Sequence, residues 1–379
     1  MTSSILKPAD DSRAWVEIDM SALRHNVRTL KSRLSPGCEI MAVVKANAYG
    51  HGAVEIAAQL RQEGISTFAV ATVGEAVQLR ESGLDSEIVV MSCTAPQDAG
   101  LLAAYNLTQI VADGDHARAL DETGYKLSIH IAIDTGMHRL GIEPDNMAEI
   151  EGIFARENLK VEGFATHLAS PDSLDADDIA FTRTQCDTFM DAVNALKSKG
   201  YNVGKLHMQS SYAVLNYPEF TCDFVRPGLS LYGALHGAST AKNPGLRPVL
   251  SLRARVAQVR WVKQGESISY GRTFLTTRPM KIATVSIGYA DGVPRQMSGT
   301  GAQCLVHSQR APIVGRICMD MLMLDVTHVD NIGSYDIVTL IGRDVADEIR
   351  CEEFAHRAGT ITHEVLCHLG QRLPRVYLP

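Results

Sequence analysis

Runs of consecutive apolar residues recur through the first two thirds of the chain, and the segments between them carry apolar residues at helical spacing. The runs predict strands over residues 39–44, 67–71, 87–91, 108–111, 126–133, 159–166, 205–208 and 223–225. Helices are predicted between most of them, as over 54–62, 73–79, 147–154 and 181–196. Strand–helix alternation calls for parallel strands joined by crossover helices. Eight such units in about 230 residues fit an eight-stranded α/β (TIM-like) barrel. A doubly wound open sheet is the rival, because strand counting cannot prove closure.

Around Asn243-Pro244-Gly245 the pattern changes. Alternating, β-branched runs follow over 251–262, 282–287, 311–314 and 321–326, and helical spacing returns only at 351–358. The expected organisation is an α/β barrel over residues 12–245 followed by a mainly β domain over 246–379.

Composition narrows the function classes. At 45% apolar and 21% charged, the 379 residues can build real cores, which excludes a disordered or disulfide-stapled scaffold. Lys and Arg number 36 against 43 Asp and Glu, a net charge of −7 with no basic run, so nucleic acid is not an expected partner. No apolar stretch approaches the roughly 18 residues of a membrane span. Residues 1–11 lack a hydrophobic signal core, so the expected location is the cytoplasm. The eight cysteines are dispersed, without zinc spacing, and are expected to be reduced thiols; no metal site is predicted.

Reactive residues collect just after the predicted strands, where barrel enzymes build active sites. Lys45 follows the first strand, Arg139 the fifth, His167 closes the sixth, Ser210-Ser211 the seventh and Arg226-Pro227-Gly228 the eighth. Loops after the last two strands frequently form phosphate sites, and a hydroxyl at Ser211 with backbone N–H groups near Gly228 suits a phosphate dianion. A lysine entering a barrel mouth beside a phosphate site suggests pyridoxal phosphate, held as a Schiff base.

Ala42-Val43-Val44-Lys45-Ala46-Asn47-Ala48-Tyr49-Gly50-His51-Gly52 closely resembles the cofactor-lysine signature of bacterial alanine racemases. The resemblance resumes at Trp15-Val16-Glu17-Ile18-Asp19, at Asp134-Thr135-Gly136-Met137-His138-Arg139, over 225–233, and in the β domain at Ser269-Tyr270-Gly271-Arg272, Gly288-Tyr289-Ala290-Asp291 and Cys318-Met319-Asp320. It implies a pyridoxal 5'-phosphate enzyme that interconverts L- and D-alanine as a homodimer with shared active sites. Lys45 resembles the Schiff-base lysine and the base on one face of Cα. Tyr270 resembles the opposite base, supplied by the other subunit. Arg139 resembles the arginine that meets the substrate carboxylate, and Met319 the residue whose N–H does so across the interface. Arg226 resembles the partner of the pyridine nitrogen, and His167 the imidazole beside the ring. Tyr49, Ser211, Gly228 and Leu229 match phosphate contacts, and Tyr289 matches one wall of the entrance.

Two positions depart from the family. Many members carry a lysine, often carbamylated, where Ala132 stands, so Arg139 must be positioned by another anion, water or neighbour. His363 replaces a tyrosine that narrows the pocket and reaches the cofactor phosphate. Imidazole is smaller and still able to donate, so the expectation is a retained phosphate contact and room for serine beside alanine. A decarboxylase on the same plan is disfavoured by Arg226 and by the lack of a Gly-Gly dipeptide. A non-catalytic pyridoxal-phosphate carrier would leave Tyr270 and Met319 unexplained.

Overall fold

The computed structural model describes residues 12–235 and 244–379; residues 1–11 and 236–243, including Asn243 of the predicted junction, lie outside the described residues. Strand β1 (Ala14–Asp19) leads into a helix, Met20–Lys31, whose first turn is capped by the Asp19 carboxylate accepting from the Ala22 N–H. Eight strands then close a parallel barrel: β2 (Glu39–Val43), β3 (Thr67–Val70), β4 (Glu87–Val90), β5 (Thr108–Val111), β6 (Leu127–Ala132), β7 (Leu159–Ala165), β8 (Lys205–Ser210) and β9 (Phe224–Arg226). Closure is made by β2 pairing with β9, with Ile40 opposite Val225. Such strands are covered on both faces and so read as continuous apolar runs; β3 is buried at every position. The open-sheet alternative is excluded.

The second half is a mainly β domain built on the long strand β10 (Leu250–Val262). Its inward positions alternate, with Leu250, Leu252, Ala254 and Val256 buried. Around it lies a nine-stranded sheet that includes β1, antiparallel to β10 with Val16 opposite Leu252. The C-terminal strand Arg375–Leu378 pairs parallel with β1 on its other side. Residues 14–19 therefore pair with the second sheet and not with the barrel, although the sequence pattern gives them no strand of their own. Arg13 completes the tie, donating two hydrogen bonds to the fully buried Asp291 carboxylate at 2.6 and 3.0 Å. All eight cysteines are free thiols, and no helix among the described residues is long and apolar enough to cross a membrane.

Candidate active site

Lys45 stands two residues past β2, at the start of an unusual backbone segment. Ala46, Asn47, Ala48 and Tyr49 all have φ between 51° and 54°, and Gly50 follows at 79°. Left-handed backbone costs an L-residue about 1–2 kcal/mol, so outside contacts must hold this run. The Glu75 carboxylate accepts from the Ala46 N–H at 2.7 Å with one oxygen, and from the Ala71 N–H at 2.7 Å with the other. The Asn47 side-chain oxygen accepts from the Ala53 N–H at 2.8 Å. Burial, then the cations of Arg139 and Arg226, push the Lys45 ammonium below its ordinary pKa.

Arg226, at the end of β9, is buried among carbonyls and imidazoles. Its Nη1 donates to His207 Nδ1 and to the His207 carbonyl, each at 2.7 Å. Its Nη2 donates to the Thr166 carbonyl at 2.7 Å and to His167 Nδ1 at 3.2 Å. Complete burial lowers its pKa to about 10, which leaves it charged at neutral pH. Behind it, His207 Nε2 lies 2.8 Å from His130 Nδ1. Gly163 of the intervening strand makes room, since a Cβ there would lie 2.9 Å from His130 Nε2 and 2.4 Å from the Lys205 carbonyl oxygen. Desolvation, then the Arg226 charge, lowers His130 to about 4 and His167 to about 3, so both rings are neutral.

A second cluster lies where β8 and β9 end. The buried Ser211 hydroxyl accepts from the Gly228 N–H at 2.9 Å and from the Ser230 N–H at 3.1 Å. The Tyr49 ring covers Gly228 so closely that a Cβ on this glycine would lie 2.5 Å from the tyrosine oxygen. Leu229 is buried beside it. His363, from the C-terminal helix Thr362–His368, packs with its ring centroid 6.0 Å from that of Tyr49. A small cavity of about 80 Å³ lies between Ala132, Arg139, His167 and Arg226. Arg139 is exposed and makes no hydrogen bond or ion pair among the described residues; the nearby Asp134 carboxylate is taken up by the N–H groups of Gly136 and His138.

Tyr270, Tyr289 and Met319 form a third group on the β domain, and all three are exposed. Backbone bonds gather them: Tyr289 N–H donates to the Cys318 carbonyl at 3.0 Å and Ala290 N–H to the Met319 carbonyl at 2.9 Å. The Ser269 hydroxyl donates to the Arg316 carbonyl at 2.6 Å, tying the Tyr270 turn to the same segment. Tyr270 and Trp261 line a wide concave face of about 960 Å³. No hydrogen bond or ion pair among the described residues joins this group to Lys45, Arg139 or Arg226. Sequence reasoning does not single out Glu75, His130 or His207. Histidines in the apolar strands β6 and β8 are the signal for the last two; Glu75 offers only its place after Thr72 in a helix-capping pair.

The comparisons with known proteins cover both halves. A family profile described as "Alanine racemase, N-terminal domain" matches residues 18–236, and one described as "Alanine racemase, C-terminal domain" matches 249–377. An alanine racemase of Geobacter sp. (strain M21) is 40% identical over 97% of this chain and 100% of its own length. An amino-acid racemase of Enterococcus faecalis is also 40% identical over 98% of this chain, which spans only 53% of that longer protein. The crystal structure of alanine racemase from Bacillus anthracis with bound L-Ala-P superposes with a TM-score of 0.90 at 32% identity, covering 97% of this chain and 95% of that one.

Proposed function

Because the chain belongs to the alanine racemase family, we propose that it interconverts L- and D-alanine with pyridoxal phosphate, as a homodimer sharing its active sites. The observation that carries this reading is the gathering of Lys45, Arg139, His167 and Arg226 at one end of the barrel, where Lys45 and His167 both feel the Arg139 and Arg226 cations. The donor set suits the cofactor. Tyr49, Ser211, Gly228 and Leu229, with His363 beside them, form a cradle for a phosphate, and Lys45 offers an amine for an aldehyde carbon. Bound there, pyridoxal phosphate would supply an electron sink that acidifies the Cα–H of an amino acid.

The chain's own groups do the rest. Lys45, its ammonium disfavoured by burial, takes or returns a proton on one face of Cα. The partner subunit's Tyr270 serves the opposite face. Arg139 binds the substrate carboxylate, helped by the N–H of the partner subunit's Met319, and Tyr289 lines the entrance. Arg226 donates to His167 Nδ1, which leaves the proton on Nε2, a donor for the partner's Tyr270 oxygen. Arg226, still charged at neutral pH, would hold the ring nitrogen as a donor that keeps its own proton, and the bound ring would then supply only a weak electron sink.

His363 against the Tyr49 ring supports a second reading, in which serine is accepted beside alanine. The test is Cα proton exchange in D₂O followed by NMR, with a chiral readout, for L-Ala, L-Ser and larger amino acids. Exchange with inversion is expected for Ala. Serine turnover that falls relative to alanine in His363→Tyr supports the wider pocket, and an unchanged Ser-to-Ala ratio of kcat/KM overturns it. Bound cofactor without any exchange would leave only a carrier.

A further inference from the structure

The left-handed run at 46–49 carries Lys45 at one end and Tyr49 at the other, and its last two carbonyls face a histidine with no assigned role. His51 is fully buried, and its Nδ1 lies 2.9 Å from both the Ala48 and the Tyr49 carbonyl oxygens. Carbonyls only accept, so Nδ1 carries the proton and Nε2 keeps a lone pair. That lone pair has no partner among the described residues, and burial lowers the ring to about 4, so it stays neutral. The ring stacks on Tyr232, with centroids 4.3 Å apart, and the Tyr232 hydroxyl donates to the carbonyl of Val43, two residues before Lys45. From the β domain, Arg375 Nε donates to the Gly50 carbonyl at 3.0 Å and the Tyr377 hydroxyl to the His51 carbonyl at 3.2 Å. One half of the imidazole is thus fully used, and the other half is unused.

We propose that His51 is a positioning residue for the cofactor lysine: its single N–H, shared by the Ala48 and Tyr49 carbonyls, locks the left-handed run that fixes where the Lys45 amine and the Tyr49 hydroxyl stand. The inference rests on the functional reading above, since it concerns how Lys45 meets pyridoxal phosphate. A merely structural histidine would be replaceable by any ring that fills the space. A positioning donor is replaceable only by a side chain with an N–H at the Nδ1 place.

The variants follow from that difference. His51→Phe keeps a ring against Tyr232, removes the donor, and has a small adjoining cavity of about 20 Å³, lined by Tyr232, Gly233 and Leu366, in which to fit. His51→Asn keeps an N–H near the Nδ1 place, whereas His51→Gln carries its amide near Nε2. Full-length apoenzyme is titrated with pyridoxal phosphate, and the fraction linked to Lys45 is trapped with borohydride and read by mass spectrometry. The Phe variant leaves a buried carbonyl without its donor and is expected to melt below the parent. When folded it is expected to bind about tenfold more weakly and link more slowly, with Asn restoring both to within about threefold. Phe equal to the parent, or Asn no better than Phe, overturns the proposal. If Phe does not fold, Asn and Gln decide: retained linkage in Asn and lost linkage in Gln supports the N–H at Nδ1, and equal linkage overturns it. A parent chain that takes no pyridoxal phosphate overturns the functional reading first and this one with it.

Discussion

The guanidinium of Arg226 has no lone pair to offer, so each imidazole nitrogen facing it must accept. His207 accepts at Nδ1, so its proton sits on Nε2 and points at His130 Nδ1, 2.8 Å away. One donor-only side chain thus fixes a row of tautomers through the barrel. Arg226→Glu reverses the polarity: His207 must then donate from Nδ1, a change readable in the ¹⁵N shifts of the imidazoles. If pyridoxal phosphate binds as proposed, the same substitution would offer its ring nitrogen an acceptor in place of a donor, and keto acid formed per racemisation event is expected to rise. An unchanged partition would count against the electronic role of Arg226. These neutral rings also set a pH dependence. His51 and His130 titrate at about 4 in the fold and near 6.5 when unfolded, so below that value the unfolded chain takes protons the fold refuses. Stability is full above about pH 7 and falls on acidification, by about 2 kcal/mol per ring at about pH 5. Urea midpoints between pH 7.5 and 5 check the sign, and His130→Gln is expected to flatten the slope. A midpoint that holds or rises on acidification would contradict it.

The barrel strands are legible in the sequence because each is apolar throughout, and helices between them leave no other way to cover both faces. Strand β1 is not, since the sequence pattern gives residues 14–19 no strand of their own; only their pairing with β10 and Arg375–Leu378 shows where they belong. The places of Lys45, His167, Ser211 and Arg226 at the strand ends are legible because the strands before them are. The left-handed run is not, because Ala46, Ala48 and Tyr49 have no intrinsic preference for positive φ, and the contacts that hold it, local ones from Asn47 and His51 and a distant one from Glu75, carry no pattern of their own in the sequence. Glu75 is one of them, and it serves two elements: it caps the helix Val73–Glu81 and receives the Ala46 N–H. Glu75→Gln keeps one oxygen but turns an amide donor towards a backbone N–H, on the Ala46 or the Ala71 side. A loss of about 1–3 kcal/mol is expected, read as a lower urea midpoint, together with weaker cofactor binding. A midpoint equal to the parent's would mean that the run is held without it.

Across the molecule, the reactive groups fall into two sets on two domains. Lys45, Arg139 and Arg226 end barrel strands, while Tyr270, Tyr289 and Met319 are exposed on the β domain beside the concave face holding Trp261. The domains are firmly tied to each other by β1, which pairs in the second sheet and runs straight into the helix Met20–Lys31, and by Arg375 and Tyr377 on the Gly50 and His51 carbonyls. A rigid tie of this kind argues against a swing that would carry Tyr270 to Lys45 within one chain. The proposed two-fold pair of subunits would meet the need, since each barrel would face the other chain's β domain and the dimer would hold two such contacts. The consequence is a complementation test. Lys45→Ala keeps its own Tyr270 but loses the cofactor link and its visible absorption, and Tyr270→Phe keeps the link but loses most turnover. Each homodimer has two defective sites. A mixed dimer has one site with both defects and one with neither. Unfolding the two variants together and refolding at equal concentration makes half the dimers mixed, so about a quarter of the parental activity should return. Refolding each variant alone is the control, and no recovery in the mixture would place both bases in one chain.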